Sequence, residues 1–187
     1  MDQIARHPKW GGDPGDRNDV ALLHLTADSA IAPVRLGTST ALVKGVKRCF
    51  NQMTMAVVRQ RIWTPGSCLA SPGTGLGWGR TPSSGGSTLL TLRESGARVL
   101  DFPLGTFWRV KSGACPGDSG GPLLVRGDNG ALRQIGIASH ATHGGGWFDW
   151  LVGDRCSSRS FDFYSDVSGG ALKTWVESVT RVRDHRN

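Results

Sequence analysis

The chain predicts an all-β fold that ends in a helix, and three features of its 187 residues carry that prediction. Twenty-seven glycines and nine prolines are scattered between short apolar runs, which favours many short strands and turns over long helices. The apolar runs are brief and bounded by turn residues, as in Pro122-Leu123-Leu124-Val125. Near the end, Leu172, Trp175, Val176 and Val179 recur at i, i+3, i+4 and i+7, the stripe of an amphipathic helix packing on a core.

In chain order, residues 20–25 and 54–58 read as strands of an N-terminal half. Residues 61–76, with Pro65, Gly66, Pro72 and Gly73, read as a crossing into the second half. Strands are expected near 88–92, 107–110, 122–125, 134–139 and 161–167, with a long connection over 140–155. The chain therefore divides into residues 1–62 and 63–187, a length that supports one ordinary domain or two small barrels sharing an interface. No apolar stretch reaches the ~18 residues of a membrane-spanning helix. The opening MDQIARHPKW lacks the charged-then-apolar pattern of a secretory signal.

The most specific stretch is Gly117-Asp118-Ser119-Gly120-Gly121-Pro122. A serine hydroxyl that attacks a carbonyl needs backbone N–H groups aimed at the same reacting centre and no side chains in the approach. Glycines on both sides of Ser119 meet both demands, and Pro122 fixes the turn into the next strand.

GDSGGP resembles the nucleophile signature of the trypsin/chymotrypsin-like serine proteases, and five further segments resemble that family in the same order. They are Asn18-Asp19-Val20-Ala21-Leu22-Leu23, Gly77-Trp78-Gly79, Ile135-Gly136-Ile137-Ala138-Ser139, Phe163-Tyr164-Ser165-Asp166-Val167-Ser168 and the terminal helix. The resemblance runs from about residue 7 to residue 182. It implies two antiparallel six-stranded Greek-key barrels, the first incomplete here, followed by the helix. It further implies Ser119 as nucleophile, Asp19 as the triad aspartate, and the N–H groups of Gly117 and Ser119 as the oxyanion hole. Gly113, Ala114, Ser139, His140, Ala141 and Asp162 would line the substrate pocket. With Gly113 and Ala114 leaving the pocket floor uncharged, Asp162 is the residue expected to favour Arg or Lys at the cleaved position, with leakage to large apolar side chains. Asp118, which in the family pairs with a new N-terminal ammonium, is expected to find another cation or leave its loop disordered.

The family order His, Asp, Ser leaves the general base unaccounted for. Only His7 precedes Asp19, and His7-Pro8 resembles a loop just before the aspartate, so the chain is expected to be a truncated protease domain, inactive or nearly so alone. The competing expectation is an inactive homologue that uses its groove for binding. His24 and His185 read as surface residues, and His140 and His143 as rim residues, ahead of a substitute base or a metal pair. No metal or other cofactor is expected.

The formal charge of +7 comes from dispersed basic residues with no basic helix, so a solvated surface is expected and no nucleic-acid or membrane partner. Four cysteines allow three connectivities. The resemblance implies that Cys115 and Cys156 bridge the pocket loops, leaving Cys49 and Cys68 as a second candidate pair; two disulfides would imply a secreted, extracellular protein. The expected partners are protein or peptide substrates, bound by a monomer.

Overall fold

The structure, a computed structural model, describes residues 3–13, 15–38, 71–81, 90–101, 106–127, 129–142 and 161–184. Strands β1 (Gln3–Arg6) and β2 (Ala21–His24) form a two-stranded antiparallel sheet. Six further strands close into an antiparallel barrel. They are β3 (Ser71–Gly77), β4 (Arg93–Asp101), β5 (Phe107–Lys111), β6 (Pro122–Arg126), β7 (Leu132–Thr142) and β8 (Phe161–Asp166), in the order β3-β4-β5-β8-β7-β6. Helix α1 (Gly170–Asp184) follows.

The barrel interior is filled by alternation along its strands. Ala97 and Val99 of β4 are buried while Arg98 between them is exposed, and Trp108 and Val110 of β5 point the same way. Leu123, Val125, Ile135 and Tyr164 complete that core. Ile135 is the extra residue of a bulge, since Leu123 pairs with Gly136 and Leu124 with Gln134. Its freed carbonyl accepts both the Trp108 indole N–H (3.1 Å) and the Val167 N–H (3.0 Å).

A second cluster attaches the N-terminal segment. Val20 packs with Val167, Leu172 and Val176, and Leu22, Leu36, Ile137 and Trp175 surround them. The His7 ring meets Trp175 edge-on at 5.0 Å, so the helix stripe read from the sequence holds the small sheet against the barrel.

Several boundaries differ from those expected. The crossing expected over residues 61–76 ends earlier, since Ser71–Gly77 is a full barrel strand. Its glycines are there because neighbours leave no room: a Cβ on Gly73 would touch the Leu124 carbonyl at 3.0 Å, and one on Gly75 the Tyr164 hydroxyl at 3.2 Å. The strand expected near 88–92 begins only at Arg93, and β1 was not foreseen. The strand expected over 54–58 lies outside the described residues. Among the described residues, the N-terminal half supplies a two-stranded sheet.

Candidate active site

Ser119 is exposed at the head of β6, on a loop shaped by its glycines. Gly117 and Gly120 adopt φ of 102° and 84°, in the left-handed region that suits glycine. Gly121 N–H donates to the Asp118 carbonyl (2.9 Å), and a Cβ on Gly121 would collide with the Leu76 carbonyl. Among the described residues, the N–H groups of Gly117 and Ser119 have no backbone acceptor, which leaves them free for an incoming oxyanion.

Strand β7 ties this loop to Asp19. Ala138 accepts from Gly120 N–H and donates its own N–H to the Gly121 carbonyl, each at 2.8 Å. The next residue, Ser139, is the extra residue of a second bulge: Ala138 faces Tyr164 and His140 faces Phe163 on β8. The bulge re-aims Ser139, whose Oγ donates to Asp19 Oδ2 at 2.6 Å, in the range of a charge-assisted bond. Ser165 Oγ, from β8, donates to the Asp19 carbonyl at 2.9 Å. Two adjacent residues of β7 thus hold the Ser119 loop and the Asp19 carboxylate. Ser139 was expected on the pocket wall, and neither it nor Ser165 carried a signal in the sequence for this contact.

His140 stacks on Phe163 at 4.7 Å and 4° and meets Phe107 edge-on at 5.2 Å. Gly15 lies over the ring, since a Cβ there would come within 3.4 Å of it. Its Nδ1 is 3.3 Å from Ser139 Oγ. Burial lowers the pKa of His140, opposed by the negative charge of Asp19. His7, also with a pKa lowered mainly by burial, packs on α1 and accepts Lys9 N–H at Nδ1 (3.2 Å). His24 is exposed on β2; His143 and His185 lie outside the described residues.

Asp118 departs from expectation. It neither meets a cation among the described residues nor leaves the loop unformed. Its Oδ1 accepts Gly79 N–H at 2.7 Å and its Oδ2 accepts Cys115 N–H at 2.8 Å. Two backbone amides supply the positive dipoles that an ammonium would otherwise bring.

Gly113 and Ala114 line a cavity of about 140 Å³ with Tyr164, Asp118, Gly75 and Gly77. Asp162, expected on a pocket wall, is instead 2% exposed beneath these residues. Its Oδ2 accepts Ser112 Oγ (2.6 Å), Ser112 N–H (3.2 Å) and Ala114 N–H (3.3 Å). Oδ1 is buried without a hydrogen-bond partner, and burial raises the carboxyl's pKa against the pull of the Ser112 hydroxyl. Ser112 had no sequence signal; it also lies 3.3 Å from the Tyr164 hydroxyl, whose pKa burial pushes up to about 12. Ala141 is exposed and faces Asp162 across β7 and β8. Cys115 is disulfide-bonded; Cys49, Cys68 and Cys156 lie outside the described residues.

A closed antiparallel barrel thus presents an exposed serine on a glycine loop, and the strand that holds this loop also holds a carboxylate. A model of the Trypsin family matches residues 1–176, and the chain belongs to that family.

Proposed function

We propose that the chain is a serine endopeptidase domain in which Ser119 is the nucleophile and Asp19 orients and stabilises a catalytic imidazole, a part that no histidine among the described residues takes. The observation that carries this reading is the pair of contacts from β7, Ala138 to the Gly120-Gly121 backbone and Ser139 to Asp19. Ser119 Oγ attacks the scissile carbonyl, and the developing oxyanion is held by the N–H groups of Gly117 and Ser119. Each such donor typically lowers the barrier by ~2.7–4 kcal/mol. Loss of one triad member leaves only the oxyanion hole and binding to act. Among the described residues, His7 and His140 are committed to packing and His24 is exposed on β2.

Specificity for Arg or Lys follows from the unpaired Oδ1 of Asp162 beneath Gly113 and Ala114. A buried carboxylate with an unmet oxygen gains most from a cation that approaches it. The substrates are proteins or peptides, cleaved by a secreted enzyme with a Cys115–Cys156 bridge beside the pocket.

A peptide boronic acid with a basic side chain tests the nucleophile without requiring turnover. Bound to Ser119 Oγ, its boron becomes tetrahedral, and its ¹¹B resonance moves accordingly. Binding that leaves boron trigonal, or tetrahedral boron that persists in Ser119→Ala, would show that Ser119 does not attack.

A further inference from the structure

The proton between Asp19 and Ser139 has consequences for His140. Ser139 Oγ carries one hydrogen, and the 2.6 Å contact commits it to the Asp19 carboxylate. The remaining capacity of Oγ toward His140 Nδ1, 3.3 Å away, is therefore to accept. A neutral imidazole that meets an acceptor at Nδ1 carries its proton there and keeps its lone pair on Nε2. Phe163 stacked on the ring, Phe107 at its edge and Gly15 close to it fix the ring plane and keep Nδ1 toward Ser139.

We propose that His140 is a positioning residue for Asp19: its Nδ1–H orients the Ser139 hydroxyl, which holds Asp19 Oδ2 and leaves Oδ1 as the oxygen offered to a catalytic imidazole. As a role in peptide hydrolysis this rests on the proposed function; the proton order itself does not. Among the described residues, Oδ1 of Asp19 accepts no hydrogen bond, in keeping with that division of labour between the two oxygens. Asp19 is the charged group that acts on the ring; β5 and β8 contribute the uncharged Phe107 and Phe163, and the segment before Asp19 contributes Gly15. Protonation of His140 adds its proton at Nε2, so the relay survives acidification while a cation appears beside Asp19. The ring neither serves as the base nor receives substrate at Nδ1.

Nitrogen NMR on the full chain reads the proton order directly, with the His140 signals assigned by their loss in His140→Gln. The expected spectrum at neutral pH shows a protonated Nδ1 and a lone pair on Nε2. Ser139→Ala removes the acceptor and should move the proton largely to Nε2, whereas Ser139→Thr, which keeps the hydroxyl, should restore the first spectrum. Asp19→Asn should lower the pH at which His140 titrates. An Nε2–H tautomer in the unsubstituted chain, or a tautomer indifferent to Ser139→Ala, overturns the relay. Because this readout requires no reaction at Ser119, a chain that shows the Nδ1–H tautomer yet fails the boronate test keeps the relay and loses the endopeptidase reading.

Discussion

Gly79 N–H donates to Asp118 Oδ1 at 2.7 Å across 39 residues of sequence, joining the segment just after β3 to the residue before Ser119. The contact requires glycine on the β3 side. A Cβ at Gly77 or Gly79 would overlap the Asp118 carboxylate itself. The glycines of Gly77-Trp78-Gly79 are thus there to let a carboxylate in, while the intervening Trp78 remains half exposed.

Gly79→Ala is expected to expel Asp118 and destabilise the chain by about 1–3 kcal/mol. Gly96→Ala, on β4 with nothing within 4 Å of the added methyl, should change stability little. Denaturant unfolding of the two variants beside the parent chain checks the contrast; equal losses would show that Asp118 is not the cause.

Asp166 joins three elements. Its Oδ1 accepts the Trp108 indole N–H (3.0 Å), Ser168 N–H (2.8 Å) and Ser168 Oγ (2.6 Å), just ahead of α1. Asp166→Ala takes the acceptor from Ser168 N–H and Oγ at the helix entry and leaves the Trp108 indole N–H with the Ile135 carbonyl, so a loss of about 1–3 kcal/mol is expected. Tryptophan fluorescence during unfolding should report it, and a loss below about 0.5 kcal/mol would mean that other partners take over these donors.

The helix and the glycine-shaped turn around Ser119 were legible in the sequence because each rests on a local pattern, the stripe from Leu172 to Val179 and the glycines on both sides of Ser119. β3 was hidden because Pro72, Gly73, Gly75 and Gly77 carry loop propensity, and only the approach of Leu124, Tyr164 and Asp118 explains them. The Ser139–Asp19 contact depends on a one-residue bulge, which shifts side-chain direction without changing the apolar pattern. Asp162 was seen as a pocket residue, but its burial under Ser112 is a property of tertiary packing alone.

The small sheet carries an apolar surface open to solvent, with Ile4, Leu23 and Leu25 exposed by 60%, 57% and 56%. Such a surface on a short two-stranded sheet invites association. Sedimentation should show self-association that rises with concentration and weakens in the Ile4→Lys/Leu23→Lys double variant. Association unchanged by the substitutions would place the sticky surface elsewhere.

Asp162 gives a pH dependence with a defined sign. Burial raises its carboxyl pKa in the fold, so its contribution favours folding most below the unfolded pKa and is lost as pH rises through the folded value. An amidinium binds the ionised form, so benzamidine affinity should strengthen over the same window. Asp162→Asn should flatten that pH profile and weaken binding about tenfold or more, as expected for a charge-assisted bond of ~1.5–3 kcal/mol. Calorimetric titration at several pH values decides it, and affinity independent of both pH and Asp162 would remove this residue as the selector of basic side chains.

Hydrolysis of a peptide ester with added imidazole tests most directly whether Ser119 and Asp19 form a protease site that an added imidazole completes. The chain alone should turn over the ester negligibly. Imidazole should raise the rate in proportion to its concentration, above the background measured with Ser119→Ala, and Asp19→Ala should reduce that increment. Protease-like rates without imidazole, lost in Ser119→Ala, would show that the chain already contains its base. An imidazole response no greater than in Ser119→Ala would show that Ser119 is not poised to react.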